Sequence, residues 1–455
     1  MPVTALDSPY LGNLFGSKTL RAIFEARATV ERYLEVEIAL AEVEAALGLI
    51  PPEASTALKS ELTIDRIEFE QYARDVERVG FPIVPLLDQI VQLVSDDYGE
   101  YAHWGATTQD IMDTALVLQL REALGHIDDG LHKLRRILAA QADQHRSTLM
   151  LGRSQLQHAL PITFGFKAAT WLTMFQRHSK RLAQLEERLY VIQFGGAVGT
   201  LASLGDQGEA VQRALAAKLG LGVTPTPWHT TRDSLTESVT FLANVAASLG
   251  KIGQDVVLLA QSDVGEVHER AVPGRGVSSA MPQKHNPISA QLLTVLASKL
   301  AGHAEGMLRA SVHDHERASG RWMEEWGIVP EAVVLTGGAL DLAIDLLEGL
   351  EIDVDQMRAN VEASEFIVSE AVMMALAPHL GRQRAHDIVA RAVQTAVGKG
   401  ISFHQALSST PEIADKLSGK ELSSILEPGR YLGVSDAFID RALANEESPA
   451  TGTDS

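Results

Sequence analysis

The sequence predicts an all-α protein built around a bundle of long helices. Two observations predict it. Apolar residues recur at alternating spacings of four and three over several long stretches, the rhythm of a narrow buried helical face. Hydrophobic residues make up 45% of the 455 residues while aromatics make up only 5%, and the glycines are scattered singly, which suits Ala- and Leu-rich helices better than sheets.

In chain order, apolar positions from about Leu20 to Leu49 follow helical spacing, and Gly48 with Pro51-Pro52 marks the end. Short helices are expected up to about residue 100. A longer regime begins near Thr107, where Leu120, Leu124, Ile127, Leu131, Leu134 and Leu138 form one seam. Trp171, Phe175, His178, Leu182, Leu185 and Leu189 form a second, and Leu242, Val245, Leu249, Ile252, Val256 and Leu259 a third. Apolar periodicity from Ile288 to Leu308 and from Val329 to Leu350 adds two more helices, and packing them into a bundle is the natural way to bury their faces. Helices of roughly 25 to 35 residues reach about 40 to 50 Å. That exceeds what a compact monomer needs, so other subunits are expected to cover the outer seams. Past Glu351 the helices shorten around Gly381, Gly398, Gly400 and Pro428-Gly429. The expected division is therefore an N-terminal helical domain over 1–106, a central bundle over 107–350, a small helical domain over 351–445 and a disordered polar tail over 446–455.

A net charge of −20 opposes nucleic acid and anionic membrane, so an anionic substrate must find a local basic pocket. The absence of cysteine removes thiolate catalysis and Cys-ligated metal from consideration. His313 and His315 are two residues apart, which on a helix would turn them away from each other, so no metal site is expected there. With no leader-like N-terminus and no uninterrupted apolar run of about 18 residues, the expectation is a cytoplasmic protein.

The most informative stretch is Gly274-Arg-Gly-Val-Ser-Ser-Ala-Met-Pro-Gln-Lys-His-Asn-Pro287. Glycines and prolines interrupt strong helices on both sides, so it reads as a loop. Such a loop offers hydroxyls, a cation and an amide to one ligand, and its glycines permit motion or close backbone approach. The string resembles the signature loop of the fumarase/aspartase superfamily. The resemblance implies a three-domain, all-helical fold completed in a homotetramer, with active sites shared between subunits and no cofactor. It implies Ser278 as the base that moves a proton beside a carboxylate, with Ser279, Met281, Lys284 and Asn286 around it. Val277 stands where the superfamily has glycine.

His103-Trp-Gly-Ala-Thr-Thr-Gln-Asp110 opens the long helix. By residue type Thr107, Thr108 and Asp110 are helix-capping residues, and the exposed donors of a helix start also suit an anion. The stretch resembles the superfamily's carboxylate-binding segment, which implies substrate contacts from His103, Thr107, Thr108, Gln109 and Asp110. Gly152-Arg-Ser-Gln-Leu-Gln-His-Ala-Leu-Pro161 resembles a further superfamily segment, implying roles for Arg153, Gln155 and His158. His158 is an alternative proton carrier, or a histidine satisfied at a helix start. Arg232, Arg317 and Arg321 lie in stretches that look like the cycloisomerase branch, as does Glu427–Gly433.

Gln155 occupies a position where the superfamily often has a histidine acid for the leaving group. An amine leaves poorly without a proton, whereas a carboxylate, whose conjugate acid has a pKa of about 4, departs unaided. The resemblance, read with this substitution, implies 3-carboxy-cis,cis-muconate cycloisomerisation on a small di- or tricarboxylate. The alternative it implies is a fumarate-forming lyase acting on a substituted succinate.

Overall fold

The computed structural model describes residues 4–447. The chain is all-α, with short strands only. Its principal helices are α1 (Ala26–Ala46), α2 (Thr108–Gln144), α3 (Phe164–Leu189), α4 (Asp233–Leu259), α5 (Ile288–Ala310) and α6 (Arg321–Glu348). The last five are the long helices that the periodicity predicts. Every member of the three seams is buried, from Leu120 to Leu138 on α2, from Trp171 to Leu189 on α3 and from Leu242 to Leu259 on α4. Each buried Leu or Ile of this kind contributes about 1.5–3 kcal/mol relative to exposure.

α6 starts two turns before the Val329 at which the apolar pattern begins. It runs through Pro330, which removes one helical hydrogen bond without ending the helix. The predicted helix over Leu20–Leu49 is two pieces, Lys18–Phe24 and α1, separated by the extended backbone of Glu25.

The chain forms two compact units. The first runs to Leu131 and includes His178–Gly250 and Leu292–Leu342, and the second comprises His132–Arg177, Lys251–Gln291 and the chain from Ala343 onward. Each of the five long helices contributes a stretch to both units. In the first, small residues let helices approach closely: a Cβ on Gly130 of α2 would lie 2.4 Å from Leu340 of α6. A Cβ on Gly250 of α4 would lie 2.6 Å from Ala297 of α5.

The second unit holds two antiparallel strand pairs, β1 (Leu149–Ser154) with β2 (Gln157–Thr163) and β3 (Val267–Glu269) with β4 (Leu350–Ile352). It also holds α7 (Val354–Glu362), α8 (Ser369–Leu380) and α9 (Arg382–Lys399). Val372 and Leu376 of α8 and Ile388 of α9 share a core with Phe403, Leu407 and Ile413. The last helix, Ser435–Glu447, includes Glu446, which is ion-paired with Arg135 at 2.9 Å. The rest of the expected disordered tail, from 448 on, lies outside the described residues.

By length and composition α4 and α6 are apolar enough to cross a membrane, but 56% and 61% of their most apolar windows are buried inside the protein, as in the core helices of a folded domain.

Candidate active site

In the first unit the candidate residues gather at the start of α2. Thr107 caps the helix in an inverted sense: its backbone N–H donates to Asp110 Oδ2 at 3.1 Å. The hydroxyls of Thr107 and Thr108 are half-buried and have no hydrogen-bond partner among the described residues. They stand beside the unpaired N–H groups of a 37-residue helix, the arrangement that receives anions.

His103 precedes them with φ of +60°, an uncommon conformation for a residue with a Cβ. One buried carboxylate holds it there, since Glu37 accepts the His103 backbone N–H at 3.0 Å and its ring Nδ1 at 2.7 Å. Burial opposes charge on this ring. Glu37, helped by Asp110, outweighs that effect and raises the imidazole pKa above its ordinary value.

Gln109 and Asp110, expected to contact substrate, are buried and bonded inward. Asp110 accepts the N–H groups of Gly195 and Gly196 at 2.9 and 2.8 Å and faces His229 Nε2 at 2.7 Å. Gln109 donates to Asp113 and to the His229 carbonyl, and accepts from Arg317 at 2.8 Å. Arg317 is half-buried and also donates to the carbonyls of Gly196 and Ala197. Desolvation lowers its pKa against the pull of Asp110 and Asp113.

Arg232, also expected in the binding set, is instead enclosed. Its guanidinium is 0% exposed and bridges Asp113 at 2.6 and 2.9 Å and Glu325 at 2.6 to 3.2 Å, so all three of its nitrogens are engaged and none faces the surface. Trp322 Nε1 closes on Asp113 at 3.3 Å. His313 and His315 lie on a loop rather than a helix. The His313 ring is buried 3.2 Å from Glu325, outside hydrogen-bond geometry. Arg321 is exposed and pairs with Glu324.

In the second unit, Gly152–Pro161 is a β-hairpin, and His158 stands on β2 rather than at a helix start. Ser154 pairs with Gln157, so Gln155 and Leu156 form a two-residue turn, with φ of +51° and +62°. The usual Asn-Gly or Asp-Gly signal is missing, and two side chains occupy a left-handed turn at the exposed tip. Arg153 is held by buried Glu266 through two bonds of 2.9 and 2.7 Å. His158 is exposed, with Nδ1 2.9 Å from Ser364 Oγ. It lines a cavity of about 780 Å³ between residues 156–160 and 363–369.

The Gly274–Pro287 loop is pinched at its base. Gly276 has φ of +70°, and a Cβ there would lie 2.5 Å from the Asn286 carbonyl. Asn286 donates its backbone and side-chain N–H groups to the Gly276 carbonyl at 2.9 and 3.0 Å, and Val277 bridges His285. Close approach is therefore the use of this glycine, and loop closure is the use of the asparagine amide. Above the pinch, Ser278 Oγ accepts the N–H groups of Ala280 and Met281 at 3.2 and 3.0 Å. Ser279, Met281 and Lys284 are exposed, and the Ser279 hydroxyl and Lys284 ammonium have no partner among the described residues.

The sequence reading did not single out Glu37, Asp113, His229, Glu266, Glu325 or Ser364. For Glu37 a signal exists, since it and Glu44 lie on the stripe of Val30, Leu34, Leu40 and Ala41, where an apolar residue is expected. Glu44 is buried without a hydrogen-bond partner among the described residues, and desolvation with the charge of Glu37 pushes its pKa up to about 9. Lys167, also unremarked, has its pKa lowered by desolvation against the pull of Asp255. Among the described residues no group of three or more His, Asp or Glu side chains is placed to hold a metal ion.

The family described as lyase matches residues 13–302, and adenylosuccinate lyase C-terminus matches residues 365–442. Trans-aconitate decarboxylase 1 of Mycosarcoma maydis is 42% identical over 439 residues, 96% of this chain and 89% of its own. The 3-carboxy-cis,cis-muconate cycloisomerase of Pseudomonas aeruginosa is 41% identical over 438 residues, 95% of each chain. The crystal structure of 3-carboxy-cis,cis-muconate lactonizing enzyme from Pseudomonas putida is similar with a TM-score of 0.89 at 38% identity, over 95% of this chain and 97% of that one.

Proposed function

The chain belongs to the lyase family of the fumarase/aspartase superfamily, and from that premise we propose that it lactonises 3-carboxy-cis,cis-muconate without a cofactor. The observation that carries this reading is Gln155 at the hairpin tip, an amide that has no proton to give a leaving group. Read backwards, the lactone opens by expelling a carboxylate, which needs none. Full-length similarity to a cycloisomerase supports the same choice.

In the forward direction, a substrate carboxylate oxygen forms a bond to an alkene carbon, and the Ser278 hydroxyl delivers a proton to the neighbouring carbon. His158 is the alternative carrier of that proton. Charge on the activating carboxylate is stabilised by Lys284 and by loop N–H groups. Thr107, Thr108, His103 and Arg317 receive a second carboxylate at the start of α2. The exposed Ser279 and Met281 complete the loop's contact surface. Arg232, Gln109 and Asp110 hold this binding surface from behind, and Arg153 holds the hairpin. A homotetramer, with the two residue sets contributed by different subunits, suits helices of this length.

A second reading is elimination or decarboxylation of a small polycarboxylate, favoured by the 42% identity to trans-aconitate decarboxylase 1. Purified enzyme is to be offered 3-carboxy-cis,cis-muconate, trans-aconitate, adenylosuccinate and simple substituted succinates. Loss of diene absorbance with the muconate is the expected result. Fumarate or carbon dioxide release with no diene loss overturns the first reading.

A further inference from the structure

Ser364 lies between α7 and the short 3₁₀ helix Glu365–Val368, at the N-cap position, where a serine ordinarily accepts a backbone N–H of the following turn. It makes no such bond. Its hydroxyl is instead 2.9 Å from His158 Nδ1, across 206 residues of chain. A capping residue that gives up its cap for a distant imidazole points to a role for that imidazole.

We propose that Ser364 is a positioning residue that anchors His158 by Nδ1, so that Nε2 is the atom that takes up and releases a proton. The inference rests on the alternative reading given above, in which His158 rather than Ser278 carries the proton. The chemistry of the anchor is suited to that cycle. A hydroxyl accepts from Nδ1–H when the ring is a cation and donates to Nδ1 when the ring is neutral with its proton on Nε2. The ring therefore keeps its orientation in both states. A carboxylate would bond only the protonated nitrogen and would favour the charged ring, the direction in which Glu37 acts on His103. Glu365 also lines the cavity, but its carboxylate accepts the Phe403 N–H at 2.8 Å, while His158 Nδ1 faces the Ser364 hydroxyl.

The test is a double-mutant cycle on the full chain. Ser364→Ala is expected to lower kcat roughly tenfold with KM nearly unchanged, part of the ~10²–10⁴ that a positioned acid–base group supplies. It should also displace the limb of the pH–rate profile that His158→Gln abolishes. Ser364→Thr, which keeps the hydroxyl, should restore kcat to within about twofold of the parent. In a His158→Gln background, Ser364→Ala should cost nothing further. Additive losses, or a His158→Gln enzyme with full activity, would overturn the proposal. Nitrogen-15 NMR of the His158 ring needs no turnover. Ring shifts that differ between parent and Ser364→Ala support the anchor, and identical shifts overturn it. A parent enzyme inactive on the muconate overturns the function reading alone.

Discussion

At the start of α2, Gln109, Asp110, Asp113, His229, Arg232 and Glu325 are buried and bonded to one another, while in the Gly274–Pro287 loop the serines, Met281 and Lys284 stand at or near the surface with few bonds. The contrast separates two jobs. A buried, fully paired network is rigid, because any displaced charge would be stranded in a low dielectric. It suits a surface that must present fixed donors to a carboxylate. The loop is closed only at its base, by Gly276 and Asn286, so its hydroxyls carry little of the fold. Reactivity and stability should therefore respond to mutation in opposite places.

The largest expected effect is on rate. Ser278→Ala removes the proposed proton-transfer hydroxyl, and turnover of the muconate should fall by about 10²–10⁴. Among the described residues its hydroxyl bonds Ala280 and Met281 within the loop, so the unfolding free energy should move by less than about 0.5 kcal/mol. A folded Ser278→Ala enzyme with near-normal turnover breaks the assignment.

The inverse test falls on Arg232. Replacing it with Met leaves Asp113 and Glu325 facing each other without their cation, and stability should fall by about 3–5 kcal/mol. Denaturant unfolding reads this directly. An Arg232→Met protein as stable as its parent would mean that the network does not have the rigidity inferred here.

The same contrast explains what the sequence made legible. Long helices repeat one rule over many residues, so the seams on α2, α3 and α4 could be read residue by residue. The first two turns of α6 escaped that rule, because Arg321, Glu324 and Glu325 interrupt the apolar pattern before Val329. The Gly274–Pro287 loop announced itself through glycine and proline. The hairpin did not, since Gln155 and Leu156 take left-handed conformations that their side chains do not advertise. Arg232 read as a ligand cation because its partners lie 119 and 93 residues away, and no local pattern encodes such a pairing. Glu37 was within reach of the sequence: an acid on a buried stripe either finds a partner, as Glu37 does in His103, or has its pKa pushed up, as at Glu44.

The smallest predicted effect concerns that pair and depends on pH. The His103 ring is desolvated, which disfavours its charge, yet Glu37 with help from Asp110 raises its pKa above the ordinary value near 6.5. A raised pKa in the folded state stabilises the protein fully below about pH 6.5, and the benefit is lost as pH rises through the folded value. Glu37→Gln keeps an acceptor for the His103 N–H but removes the charge, so it should destabilise the protein by roughly 1–2 kcal/mol at pH 6. The difference should shrink by pH 9. Glu37 helps to raise the pKa of Glu44, so both proteins are compared in a Glu44→Gln background, which removes that second titration from the difference. Denaturant unfolding at the two pH values decides it. An equal loss at both would mean that Glu37 serves the strained backbone of His103 alone. A loss confined to low pH would mean that the rigid region carries a titratable cation at His103, a turn ahead of Thr107 and Thr108.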